Sequence, residues 1–318
     1  MTFLPLPSLS RFIVTGNDRA KYLHNFCTNN IKELPSGKAC EAFFCDVKAR
    51  VIAHGYILAF EDSHEIWMLV REEASLLKHL NRYIITEDVT VTSATESTAV
   101  IAAIGEMSAN KLLIGAEDAG AGLQEPLSCA RLQIRHPDRG VVTATAFSVT
   151  WAGTPMLWMA TQKDSNPIPP PVEADATASQ FEELRIRERF PIINEDMSIE
   201  NMAPEAERNS SAISYAKGCY LGQEPIARLD AMGHVNRALR CVESAGPASQ
   251  LWKSNILTAD GVVAGVVTSA ATVDEGSIGL AVLRANATQG QLHCVVDGQH
   301  VAVRDIKGVS DIKGVRRL

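Results

Sequence analysis

The run Ser214-Tyr-Ala-Lys-Gly-Cys-Tyr-Leu-Gly-Gln-Glu-Pro-Ile-Ala-Arg228 concentrates more chemistry than any other stretch of this 318-residue chain. Gly218 and Gly222 bracket Cys219, and glycines at that spacing permit tight backbone geometry and close approach of a ligand. Gly222-Gln-Glu-Pro225 reads as a helix start, because proline is favoured in a first turn. Unsatisfied N–H groups and the helix dipole at that end favour an anion. A thiol just ahead of such a start, two residues from Lys217, is a candidate for a lowered pKa. Glu224 acts in the opposite direction. The alternative is that Cys219 packs as a small apolar residue. Arg228 follows Glu224 by four residues, so the two read either as a helix ion pair worth about 0.3–0.5 kcal/mol or as ligand-binding groups. His234 and Arg237 read as surface or interdomain groups in a polar turn.

Upstream, Arg11 to Thr15 alternates like a short strand and Gly16-Asn17-Asp18 offers a cap to a helix with Leu23 and Phe26 on one face. Strands are expected at Cys40–Asp46, Arg50–Phe60, Ile66–Val70, Glu87–Ser93 and Thr98–Ile104, with a helix over Glu72–Ile84. A short helix over Glu106–Ile114, a Gly/Ala-rich loop to Pro126 and strands at Ala130–Ile134, Val141–Val149 and Met156–Ala160 make a second, similar unit. The weakly repeated β-α-β-β-α-β order predicts two related α+β modules, not a parallel doubly wound sheet. Asp164 to Glu173, with Pro167, Pro169, Pro170 and Pro171, reads as a stiff connector. A helix from about Ala178 to Phe190 follows, with Thr177 and Gln180 as its capping box. Asn194 to Ser211 lacks periodicity, and a loop of that length is often functional.

Beyond Arg237 the runs Arg240–Glu243, Val262–Ser269, Ile278–Val282, Gln291–Val296 and His300–Val303 predict a small antiparallel barrel. The tail repeats Asp-Ile-Lys-Gly-Val at 305–309 and 311–315. The organisation expected is residues 1–105, 106–236 and 237–318.

Composition narrows the classes. With 46% hydrophobic and 21% charged residues the chain is an ordinary globular sequence, and its length exceeds the usual single core. A net charge of -7 argues against broad nucleic-acid or anionic-membrane binding. Seven cysteines at irregular spacing, without a CxxC pair, do not form a disulfide framework. Cys40 and Cys45 alone fall short of the four ligands a zinc or cluster site normally uses. The N-terminus has prolines where a signal sequence needs a helical apolar run, and no apolar stretch approaches the ~20 residues that span a bilayer. A cytoplasmic, reduced protein is expected.

Lys217-Gly-Cys-Tyr-Leu-Gly-Gln-Glu224, with Ala227-Arg228 and Gly233-His-Val-Asn-Arg237, resembles the signature of the YgfZ family of folate-binding proteins. The similarity extends over almost the whole chain. Asp18-Arg-Ala-Lys-Tyr-Leu-His-Asn25, Cys27-Thr-Asn29, Cys40-Glu-Ala-Phe-Phe44 and Arg82-Tyr-Ile-Ile-Thr-Glu-Asp88 are similar to that family's first module. Asn201 and Pro204-Glu205-Ala206 resemble the loop before its cysteine motif. Gly265-Val-Val-Thr-Ser-Ala270, Gly279-Leu-Ala281 and Leu283-Arg284 resemble its terminal barrel.

The resemblance implies a GcvT-like ring of three domains, tetrahydrofolate or a derivative in a central hole, and support of iron–sulfur enzymes or their assembly factors, including enzymes that thiomethylate tRNA. The acidic balance and the short apolar runs add the expectation of no direct nucleic-acid or membrane contact. The family cysteine maps onto Cys219, with Lys217 beside it, and Tyr220, Gln223, Glu224 and Arg228 as motif residues near the folate. The related aminomethyltransferases carry a catalytic aspartate on the arm occupied here by Arg50-Val-Ile-Ala-His-Gly55. This chain has no carboxylate there, and that chemistry needs an acid beside the folate nitrogen. Their pterin-binding glutamate is replaced here by Arg187. A pterin presents parallel N–H donors that match one carboxylate in a bidentate bond, which makes Glu188, Asp196 and Glu205 the candidates. The alternatives to a folate-binding accessory protein are an aminomethyl or methyl transferase and a scaffold that binds no folate.

Overall fold

The structure, a computed structural model, describes residues 2–6, 8–70, 73–105, 123, 125–136, 140–163, 174–287, 290–296 and 299–306. The expected helix at 106–114, most of the loop to 126, the proline connector and the tail beyond Ile306 lie outside the described residues.

The N-terminal half supplies β1 (Thr2–Pro5), β2 (Ser10–Thr15), α1 (Arg19–Phe26), β3 (Ala39–Cys45), β4 (Val51–Ala59), β5 (His64–Met68), α2 (Ala74–Asn81), β6 (Thr90–Ser93), β7 (Thr98–Ile104), β8 (Cys129–His136), β9 (Gly140–Trp151) and β10 (Thr154–Gln162). They form two five-stranded antiparallel sheets in the orders β3-β4-β5-β2-β6 and β1-β7-β10-β9-β8. One face of the first sheet lies under α1 and α2, where Phe12, Phe44, Ile57 and Ile66 meet Leu23, Leu76 and Leu80. The other face carries Tyr56, Leu58 and Trp67 into a cluster with Phe147, Trp151, Trp158, Phe181 and Phe190. Both faces are covered, so β4 and β5 are buried almost throughout and lose the alternation of a half-exposed strand.

α3 (Ala174–Glu188) starts four residues ahead of the expected Ala178 and contributes Phe181 and Leu184 to that cluster, with Phe190 joining it just beyond the helix end. A 3-10 turn at Ala203–Ala206 and a one-turn helix, α4 (Asn209–Ala212), lie within the stretch expected to be loop. α5 (Gln223–Met232) begins where the glycine and proline place it.

The C-terminal domain contains β11 (Arg237–Ser244), α6 (Ala248–Leu251), β12 (Asn255–Thr258), β13 (Val263–Val273), β14 (Gly276–Arg284), β15 (Leu292–Val296) and β16 (Gln299–Ile306). Six antiparallel strands close a barrel in the order β11-β14-β13-β12-β15-β16. Val242, Ile256, Val267, Leu283 and Val303 share one core, while Leu239, Cys241 and Leu280 pack with Ile186, Phe43 and Val51 in another. That second cluster locks the barrel to α3 and to the β3–β4 hairpin. The fold is α+β with a closed C-terminal barrel, as the sequence predicts. Among the described residues no helix is long and apolar enough to cross a membrane.

Candidate functional site

Cys219 is exposed, whereas Cys27, Cys45, Cys129, Cys241 and Cys294 are buried. The segment that carries it is docked along residues 24–29. Ser214 N donates to Thr28 O (2.9 Å) and Leu221 N to Asn25 O (2.9 Å). Thr28 Oγ1 donates to Ala212 O (2.6 Å), and Asn29 Nδ2 to Ser211 O (3.0 Å). Gln223 Oε1 accepts from Tyr220 N (2.9 Å), which closes the turn ahead of α5. The thiol therefore stands in solvent on a loop anchored on both sides.

Lys217 is not aimed at that thiol. Its Nζ donates to the carbonyls of His24 (2.5 Å), Cys27 (2.8 Å) and Asn29 (2.8 Å), and the Tyr220 ring lies 4.6 Å away. Three N–H groups are all an ammonium has, so none is left for the sulfur. Burial pushes the Lys217 pKa down, with the thiols of Cys27 and Cys40 acting the other way. Glu224 and Arg228 are both exposed, and no ion pair joins them among the described residues. Both are open to solvent on α5.

The three candidate carboxylates separate. Asp196 is buried and saturated. Its Oδ2 accepts from Arg185 Nη1 (2.6 Å) and Ile192 N (2.9 Å), and its Oδ1 from Thr268 Oγ1 (2.7 Å) and Ser269 Oγ (2.6 Å). It holds α3, its following loop and the barrel together and has no lone pair left for a pterin. Glu188 accepts from Ala152 N (3.0 Å) and pairs with Arg208 Nη2 (3.2 Å). Glu205, on the 3-10 turn, accepts from Asn201 Nδ2 (2.8 Å) through Oε2 and has Arg237 Nη2 at 3.5 Å. Its Oε1 has no partner among the described residues, so it alone of the three keeps an oxygen available. Arg187 pairs with Glu183 (2.8 Å) one turn back on α3. Replacing Thr268 by Val keeps the shape and removes one donor from Asp196. The expected loss is about 1–2 kcal/mol in chemical denaturation, and a change within 0.3 kcal/mol would show that Asp196 does not depend on it.

Asp196, Asn201, Arg237, Thr268 and Arg284 share a cleft of about 290 Å³ with Val263, Val266 and Val282. Arg237 also donates to Glu200 O (2.9 Å). The cysteine loop does not line this cleft. The β3–β4 turn has one carboxylate, Asp46, and its Oδ1 accepts from Lys48 N (2.8 Å) and Arg50 N (2.9 Å). A second polar centre, with no sequence signal, lies deeper: Glu41 accepts from Arg208 and from His54 Nε2 (2.7 Å), and His54 Nδ1 faces Pro191 O (3.2 Å). Phe43 stacks on His54 at 4.3 Å.

Comparison with known proteins bears on the fold and the relatives of the chain. The sequence profile of the GCVT N-terminal domain matches residues 5–153. The chain is 29% identical over 276 residues to the chloroplastic protein At1g60990 of Arabidopsis thaliana, across 83% of this chain and 60% of that protein. It thus spans less than two thirds of the plant relative. It is 25% identical over 263 residues to the tRNA-modifying protein YgfZ of Escherichia fergusonii, across 79% of this chain and 74% of that one. The glycine cleavage system aminomethyltransferase T of Bartonella henselae superposes with a TM-score of 0.77, covering 98% of this chain and 86% of that one. At 12% identity that similarity speaks to fold alone.

Proposed function

Because this chain is a YgfZ-like protein of the GcvT fold, we propose that it binds a reduced folate and supports the assembly or repair of iron–sulfur enzymes, tRNA-modifying enzymes among them. Cys219 is the working group in this reading, handling sulfur, iron or a one-carbon adduct. The observation that carries it is the exposure of that one thiol on an anchored loop. The protein acts in the cytoplasm with iron–sulfur enzymes or assembly factors as partners.

The cleft supports a folate ligand. Its volume of about 290 Å³ lies at the small end of ligand pockets, enough for a pteridine with the rest of the molecule outside. Arg237 and Arg284 line the cleft and supply cations for a carboxylate tail, and Glu205, which is not a lining residue, lies behind Asn201 and Arg237 with Oε1 as a further acceptor. A bound reduced folate would carry the one-carbon unit. The chain's own residues would orient it and exclude water.

The missing acid on 50–55 and the engagement of Asp46 with the backbone disfavour aminomethyl transfer. A scaffold without folate is the second reading, favoured by the saturation of Asp196 and the pairing of Glu188 with Arg208. Titration with tetrahydrofolate and its 5-formyl derivative separates the two. A folate-binding chain releases heat and gains about 2.7 kcal/mol of stability at a hundred times Kd. No heat and no thermal shift at millimolar ligand would establish the scaffold. Replacing Cys219 by Ser should abolish rescue of iron–sulfur enzyme activity in a host lacking its own copy. Full rescue would remove the thiol from the mechanism.

A further inference from the structure

We infer that Lys217 is the positioning residue of the Cys219 thiol, a three-point clamp on the C-terminal end of α1 instead of a charge held against the sulfur. The inference takes Cys219 as the working group, and its test uses neither folate nor a client enzyme.

A helix ends with carbonyls that have no partner within it. In α1 the carbonyl of Leu23 is taken by Cys27 N. The next two are taken from the cysteine segment: His24 O by Lys217 Nζ and Asn25 O by Leu221 N. Lys217 and Leu221 stand two residues before and two residues after Cys219. The sulfur is thus slung between two caps on one helix end, and the position of its backbone is fixed by α1. The remaining Lys217 donors reach Cys27 O and Asn29 O just beyond the helix, so one cation ties both the last turn and the chain that leaves it. The Tyr220 ring, from the residue after Cys219, lies 4.6 Å from that cation and adds a cation–π contact. The helix in turn lacks a full C-terminal cap without the loop, so each element orders the other.

Two consequences follow from the chemistry of the donor. Arginine cannot replace Lys217, because a planar fork does not serve three carbonyls converging on one point. Removing the charge while keeping the length should loosen the loop.

The test uses the full chain with Lys217→Met and Lys217→Arg, read by hydrogen exchange and by iodoacetamide alkylation of Cys219 mapped by mass. In Lys217→Met, exchange of the amides at 212–222 and 24–29 should rise by about tenfold or more through local opening. Lys217→Arg should not restore it, and the pH midpoint of alkylation should match that of the parent in both variants. Unchanged exchange in Lys217→Met would overturn the clamp. So would a midpoint raised by about one unit in Lys217→Met and restored in Lys217→Arg, because that pattern belongs to a charge acting on a thiolate. If Lys217→Met does not fold, Lys217→Gln, which keeps two donors, takes its place with the same outcomes. Loss of folate binding with the clamp intact would count against the proposed function alone.

Discussion

Arg208→Ala is expected to remove about 3–5 kcal/mol of stability at neutral pH, because it strands a buried carboxylate. Glu41 is 3% exposed and Arg208 7%. Arg208 donates through Nε and Nη2 to both oxygens of Glu41 and through Nη1 to the carbonyl of Glu188 (2.5 Å). One guanidinium thus joins β3 to the end of α3. Burial alone would raise the Glu41 pKa. The charge and hydrogen bonds of Arg208, with those of His54, outweigh it and hold the group at about 2, against 4.5 for a free side chain. A carboxyl whose pKa is depressed on folding contributes stability above its unfolded value and loses it as pH falls toward the folded value. The contribution is therefore complete above about pH 5 and disappears between about pH 4.5 and pH 2. Denaturant titrations of parent and variant should converge over that window, since the parent loses on acidification what the variant already lacks. A difference below 1 kcal/mol at pH 7, or one that stays constant down to pH 3, would show that the pair contributes little.

This pair also marks where the sequence stops being readable. Glu41 and Arg208 are 167 positions apart, and neither lies in a spacing pattern that points to the other. Periodicity reports which side of a strand is buried, so β2, β4, β7, β9 and β10 were legible from their apolar runs. It does not report which strand lies alongside. Thus β1 and β12, four residues each, carried too little pattern to be seen, and Asp196 read as a candidate pterin ligand although four donors from three segments fill its lone pairs. The cysteine loop was legible for a different reason. Its helix start and its glycines are set by local backbone chemistry, so Gly222, Gln223 and Pro225 fall where a first turn needs them. The partners of Lys217 lie 188 to 193 positions away, and proximity in sequence to Cys219 suggested the wrong neighbour. Arg237 and Arg284, two residues of the cleft, are cross-strand partners on β11 and β14, two strands that are neighbours in the barrel but not in sequence.

The second large effect is expected at Gly222. It is the residue before α5, with φ of 83°, in the left-handed region that costs other residues about 1–2 kcal/mol. Conformation is the smaller part. A Cβ placed there would lie 2.5 Å from Asp46 O and 3.2 Å from Ala49 Cα and N, all backbone atoms of the β3–β4 turn. That turn cannot give way cheaply: Asp46 N bonds Arg50 O (3.0 Å), Ala49 N bonds Asp46 O (3.0 Å), and Asp46 Oδ1 takes two further amides. Gly222→Ala must therefore push the cysteine segment off the hairpin, with a loss of about 3 kcal/mol or more once strain and lost docking combine. Gly233, at the other end of α5, provides the internal comparison. Its φ is 71°, and a Cβ there meets nothing within 4 Å, so Gly233→Ala should cost about 1 kcal/mol from backbone strain alone. The excess of the first over the second isolates the contact with the turn, and denaturant titration of both variants measures it. Hydrogen exchange at 214–222 should rise in Gly222→Ala and not in Gly233→Ala. Equal losses in the two variants would mean that the loop rests on the hairpin without depending on it, and that the thiol is held from α1 alone.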